Sequence, residues 1–200
     1  MVGSNIYTMK RLFFALDICE ADKRSIFEWR KKHLDTFIPI NSPVSENNLH
    51  ITLAFLGMVN LKQQKVFIKY CDDMFHSTSS DHVKALASIS PFHLALNQLQ
   101  LFKRPKVLYL GFNTFPDTLV SLAENLSEKA IKLGLFQADR SYYPHISIAR
   151  KVKELTMNTQ LNMPLKVTNF SLYHSQSTVK GVVYSPLNTW SLVLKQPLVL

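Results

Sequence analysis

The sequence predicts an α+β fold of two pseudo-symmetric lobes, each a small antiparallel sheet backed by helices, with a central groove between them. Short strand-like runs alternate with longer amphipathic stretches along the chain. The order strand-helix-strand-helix in the first part returns as strand-helix-strand in the second. Each part also holds one strand in which a histidine is followed by a hydroxyl, His50 with Thr52 and His145 with Ser147.

The elements follow in order. Residues 11–17 are short and apolar on both faces, an interior strand. From residue 20 to 34, Ile26, Phe27, Trp29 and Leu34 interleave with Lys23, Arg24, Arg30 and Lys31, the pattern of an amphipathic helix. After the punctuation of Asn41-Ser42-Pro43, residues 49–56 alternate. Leu49, Ile51, Leu53 and Phe55 are expected on one face and His50, Thr52 and Ala54 on the other. A second helix opens at Asn60, with Gln63 at capping-box spacing, and runs to about residue 75. Residues 76–82 are polar and read as a loop. Strands at 92–96 and 107–112 flank the basic turn Lys103-Arg104-Pro105-Lys106. A helix starts near Pro116, repeats Leu119, Leu122, Leu126, Ala130 and Leu133, and stops at Gly134. Strands at 143–150, 165–173 and 182–194 complete the chain, the last two joined near Gly181.

Two hundred residues with 46% hydrophobic and 18% charged side chains suffice for one packed domain and exclude a disordered chain. Residues 1–8 read as a loose extension and 9–200 as a single bilobal domain. With 23 basic against 14 acidic side chains, the net charge of +9 favours a polyanionic partner. Cys19 and Cys71, both in apolar helical contexts, form no CxxC pair, which excludes a zinc knuckle or disulfide framework and suits reduced thiols in a cytoplasm. Asp17 cuts short the apolar run after Lys10-Arg11, so no secretory signal is expected. No run approaches the roughly 18 apolar residues of a membrane span.

The two motifs, His50-Ile51-Thr52-Leu53-Ala54-Phe55 and His145-Ile146-Ser147-Ile148-Ala149-Arg150, have aliphatic residues at their second and fourth positions. A period of two then sets His and hydroxyl side by side on one face and the aliphatics in the core. His76-Ser77-Thr78 has the same spacing without that context. A hydroxyl next to such an imidazole can hold a phosphate oxygen, and two imidazoles about one phosphorus can act as acid and base. Strict alternation puts Arg150 on the Ile146 face, so its use requires a bulge or a strand end. Tyr142, Tyr143 and Phe14 are possible stacking partners for a base, with core packing an equal explanation. No clustered Cys/His spacing suggests a metal and no glycine-rich loop suggests ATP, so no cofactor is expected.

The paired motifs resemble those of the 2H phosphoesterase superfamily, specifically the bacterial RNA 2′,3′-cyclic phosphodiesterases, also called 2′-5′ RNA ligases. Lys10 to Leu16, Asn48 to His50, Phe55 to Gly57, Leu101-Phe102 with Arg104 to Leu108, and Pro144-His145 with Ala149-Arg150 resemble further family segments. The resemblance implies a bilobal α+β fold with a basic groove. It also implies hydrolysis of 2′,3′-cyclic phosphate ends of RNA to 2′-phosphomonoesters, with ATP-independent 2′-5′ ligation as a related activity. His50 would be the proton donor and His145 the proton acceptor, an order that the residues alone leave open. Thr52 and Ser147 would bind the phosphate, joined by Arg150. On this reading the substrates are RNA 3′ ends or cyclic nucleotides, no membrane is involved, and the protein is a cytoplasmic monomer. The alternatives are a phosphodiesterase of 2′-5′ oligoadenylate or another small cyclic nucleotide, and a non-catalytic RNA-binding module.

Overall fold

The computed structural model describes residues 9–34, 42–76, 90–135, 141–156, 160–179 and 181–192. The predicted extension at residues 1–8 and the loop residues 77–82 lie outside them. In chain order the elements are β1 (Lys10–Leu16), α1 (Glu20–His33), β2 (Ser42–Pro43), a 3-10 turn (Glu46–Asn48), β3 (Ile51–Val59) and α2 (Leu61–His76). Then follow β4 (Phe92–Phe102), β5 (Val107–Phe112), α3 (Asp117–Lys132), β6 (His145–Arg150), β7 (Met163–Val167), β8 (Asn169–Thr178) and β9 (Gly181–Ser191).

All strands join one antiparallel sheet in the order β7-β4-β5-β6-β3-β1-β8-β9, with β2 added on β6. The expected pair of sheets is therefore two four-stranded arms of a continuous sheet. They meet where β3 and β6, the motif strands, pair through Ile51 and Ile146 alone. The predicted strand at 165–173 divides at Thr168. Its first half pairs with β4 at the edge of one arm and its second half with β1 in the other. A chain that changes arms within two residues leaves no signal in hydrophobic periodicity, because both halves remain apolar and extended.

The helices lie against one face of the sheet. In α1, buried Arg30 donates from one terminal nitrogen to the Val44 carbonyl at 2.6 Å and the Ile148 carbonyl at 3.1 Å. The helix that follows β1 thus ties β6, a strand of the other arm. α3 packs on β3, and α2 meets α3 where Gln63 Nε2 donates to the Leu133 carbonyl at 3.1 Å. The capping box of α2 forms as expected: Gln63 N–H donates to Asn60 Oδ1 at 2.8 Å, and Asn60 N–H to Gln63 Oε1 at 3.1 Å. Cys71 is buried in α2, whereas Cys19 is exposed and caps α1, its Sγ accepting from Asp22 N–H at 3.5 Å. The apolar context expected for Cys19 is thus not found.

Between helices and sheet lies an aromatic core in which Phe14 faces Phe67 at 5.6 Å and Phe170 stacks on Trp190 at 5.2 Å. Phe14 is 0% exposed, so it packs the core and has no face for a base. Its neighbour Phe13 points to the opposite, open side of the sheet. No helix among the described residues is long and apolar enough to cross a membrane.

Candidate active site

The two motif strands repeat each other in burial as well as in sequence. In both, the six residues run half-buried, buried, half-buried, buried, buried, exposed. The two consecutive buried residues mark a bulge. Against β1, Thr52 pairs with Ala15 and Ala54 with Phe14, leaving Leu53 as an extra residue. Against β5, Ser147 pairs with Tyr109 and Ala149 with Leu108, leaving Ile148 extra. An extra residue shifts the phase of alternation by one. Phe55 therefore leaves the core face, where alternation had put it, and becomes 45% exposed on the His50 side. Arg150 likewise moves off the Ile146 face and lines the open cleft with Ser147.

The junction of the arms brings the motifs together. Ile51 opposite Ile146 in an antiparallel register sets His50 beside Ser147 and Thr52 beside His145, with all four polar side chains on the face opposite the two isoleucines. Each histidine is held in the same way. His50 Nδ1–H donates to the carbonyl of Asn48 at 2.7 Å, and His145 Nδ1–H to that of Tyr143 at 2.9 Å. Because a carbonyl only accepts, Nδ1 carries the proton in each ring and Nε2 is left for chemistry. In His50, Nε2 accepts from the Thr52 hydroxyl at 3.1 Å. Asn48 also anchors the start of β9, its Nδ2 donating to the Val182 carbonyl at 2.7 Å.

Each imidazole sits in an aromatic setting. Phe13 and Tyr184 lie 5.0 and 5.1 Å from the His50 ring, and Phe102 and Tyr109 lie 5.0 and 5.3 Å from the His145 ring. The cleft, about 760 Å³, takes in His50, Thr52, Ser147 and Arg150, while the His145 ring stands against Phe102 and Tyr109. Burial pulls the pKa of His50 down to about 4, against the Asn48 carbonyl, which raises it; the charges of His145, Arg150 and Lys23 lower it further. His50 is therefore neutral at pH 7. Among the described residues no three His, Cys, Asp or Glu side chains converge as metal ligands.

A family model described as the AKAP7 2′5′ RNA ligase-like domain matches residues 13–178. The RNA 2′,3′-cyclic phosphodiesterase of Escherichia coli (strain K12) is 32% identical over 186 residues, which cover 92% of this chain and 97% of that protein. The chain belongs to the 2H phosphoesterase family. A second relative, the RNA 2′,3′-cyclic phosphodiesterase of Methanocaldococcus jannaschii, is 27% identical across 90% of this chain and 99% of its own. The crystal structure of E. coli LigT complexed with 3′-AMP superposes with a TM-score of 0.78 at 32% identity, covering 94% of this chain and 100% of that one.

Within this 2H phosphoesterase fold, the structure brings His50, Thr52, His145, Ser147 and Arg150 to one face. Tyr143, named as a stacking candidate, is 39% exposed and donates from its hydroxyl to Gln98 at 3.0 Å. Tyr142 is half-buried and donates to the Thr52 carbonyl at 3.1 Å. Phe13, which touches His50 as Tyr184 does, carries no sequence signal of that contact, because β1 is apolar on both faces and gives no parity. Gly111, opposite His145, leaves the space that Gln98 fills; a Cβ there would stand 3.2 Å from Gln98 Oε1.

Proposed function

We propose that the protein hydrolyses the 2′,3′-cyclic phosphate at an RNA 3′ end to a 2′-phosphomonoester, with His50 and His145 as its acid-base pair. The observation that carries this is the junction of the motif strands, where two Nδ1-tethered imidazoles and two hydroxyls share one face of the sheet. The names of the E. coli and M. jannaschii relatives support the same substrate. Water attacks phosphorus as the P–O3′ bond breaks. His145 Nε2 takes the proton of the water, and His50 Nε2 gives a proton to O3′, so that one water is consumed and both rings later re-equilibrate with solvent. Thr52 and Ser147 donate to the non-bridging oxygens, and Arg150 offsets their charge. With an RNA 5′-hydroxyl in place of water, the same displacement makes a 2′-5′ linkage without ATP. The enzyme acts as a monomer in the cytoplasm, on RNA ends or cyclic nucleotides.

One observation favours the reverse order of roles. A His50 ring that is neutral in the free protein is ready to accept a proton, and it becomes a donor only if the bound phosphate raises its pKa. The chemistry is otherwise the same.

The test is incubation with nucleoside 2′,3′-cyclic phosphates in excess EDTA and without ATP, with the product isomer identified by chromatography. Undiminished formation of the 2′-phosphate is expected, since the proposed steps use only imidazoles, hydroxyls and a guanidinium. Formation of the 3′-phosphate, or loss of activity that zinc or manganese restores, would overturn the mechanism.

A further inference from the structure

One end of the second arm is built from two turns that meet. The β4–β5 turn carries Lys103, Arg104 and Lys106, and the exit of β6 carries Arg150, Lys151 and Lys153. Val107 pairs with Arg150, and Val152 N–H donates to the Lys106 carbonyl at 3.2 Å, so the two turns form one rim. All six basic residues are exposed. None of them stands in an ion pair among the described residues, and over 100–112 and 145–156 the sole acidic residue is Glu154. Lys106 and Lys151 also have left-handed backbones, with φ of 66° and 60°, and no other non-glycine residue among those described does. Glycine takes that conformation at no steric cost and lysine does not, so the two turns hold these lysines against their local preference.

We infer that this rim is a docking surface for the sugar-phosphate backbone of RNA, the stretch on the 5′ side of the cyclic end. This inference rests on the proposed function. It follows from continuity and charge. Arg150 lines the cleft with Ser147 and also begins the rim, so cationic surface runs out of the site without a break. The cleft wall formed by Gly181, Val182 and Tyr184 carries no charge. A strand that ends in the cleft leaves it in one direction only, and its phosphates are drawn along the side that bears cations. Residues 103–106 and 150–153 contain no aromatic ring. Lysines and arginines without a ring between them hold phosphates rather than bases, so the docking is independent of base sequence. The bond from Val152 to Lys106 fixes the two turns relative to each other before RNA arrives, which lowers the ordering cost of binding.

The experiment compares adenosine 2′,3′-cyclic phosphate with an RNA of roughly ten nucleotides that ends in the same group, across a range of salt. Wild type should prefer the RNA, the more so as salt falls. Lys106→Gly combined with Lys151→Gly removes two charges and suits the left-handed backbone, so the fold is retained. In that double variant the ratio of kcat/KM for RNA to that for the mononucleotide should fall about 3- to 30-fold at low salt, through KM, the worth of two exposed phosphate contacts. The logarithmic salt slope for RNA should flatten by about 0.7 per lysine removed, and hydrolysis of the mononucleotide should be unchanged. Lys31→Gln combined with Lys32→Gln, which takes the same charge from the last turn of α1, should leave the ratio as in wild type. An unaltered ratio in the rim variant, an equal fall in the α1 variant, a parallel loss on both substrates, or a wild type without preference for RNA would overturn the docking surface. If wild type hydrolyses neither substrate, the proposed function fails instead. Titration with the same RNA ending in a 3′-phosphate, followed by fluorescence anisotropy, then decides the rim alone: weaker binding with a flatter salt slope in the rim variant supports it, and unchanged binding overturns it.

Discussion

Replacing His50 or His145 with alanine is expected to lower kcat for cyclic phosphate hydrolysis about 10²- to 10⁴-fold, the contribution of a positioned proton donor or acceptor. The fold should survive. Both rings lie at the open face of the sheet, against Phe13 and Tyr184 or Phe102 and Tyr109, and neither belongs to the core between sheet and helices. Since the two act in one displacement, the double variant should lose little more than either single one. His76→Ala is the control: it ends α2 and shares neither the strand context nor the place at the junction. Turnover measured on the three variants, with circular dichroism to verify folding, checks the assignment. Equal losses at His50, His145 and His76 would remove it.

The motifs were legible because they lie on strands, where a period of two ties sequence spacing directly to side-chain direction. The same rule failed three residues later. Alternation placed Phe55 in the core and Arg150 on the Ile146 face, and the structure puts both in the cleft, since a bulge at Leu53 and another at Ile148 each consume one residue. A bulge leaves little trace in composition. Here the trace is the pair of small or aliphatic residues after each hydroxyl, Leu53-Ala54 and Ile148-Ala149, both buried, where strict alternation would leave one exposed. The continuity of the sheet was hidden for another reason. Pairing partners are set by long-range contact, and nothing local in Ile51 or Ile146 shows that they meet across 95 residues. The crossing at Thr168 and the tie of Arg30 to Ile148 are likewise properties of the assembled chain. Amphipathic helices and their caps were readable, being local; the arm that each helix supports was not.

The pH dependence of kcat/KM should carry a limb that belongs to His50 and lies far below the ordinary imidazole range. That ratio reports the free enzyme, in which burial and the nearby cationic groups bring the His50 pKa down to about 4. If His50 is the donor, kcat/KM falls as pH rises above about 4, and the corresponding limb of kcat lies higher, because a bound phosphate anion stabilises the imidazolium. If it is the acceptor, the limb of His50 is instead a loss of kcat/KM as pH falls through about 4. Either limb should vanish from the residual activity of His50→Gln, and a limb that persists there belongs to another group. Stability offers an independent measure. The folded ring resists protonation down to about 4, while in the unfolded chain it protonates near 6.5. The unfolded state therefore binds more protons in that interval, and the fold loses stability as pH drops from about 6.5 to about 4. The loss from this group should reach about 1–3 kcal/mol, reduced from the full shift because the ring is only half-buried. Thermal unfolding between pH 4 and 7 should accordingly show a shallower decline in His50→Gln than in wild type. Parallel curves for the two proteins would mean that the desolvation of His50 is absent in solution, and the low limb in kcat/KM should then be absent with it.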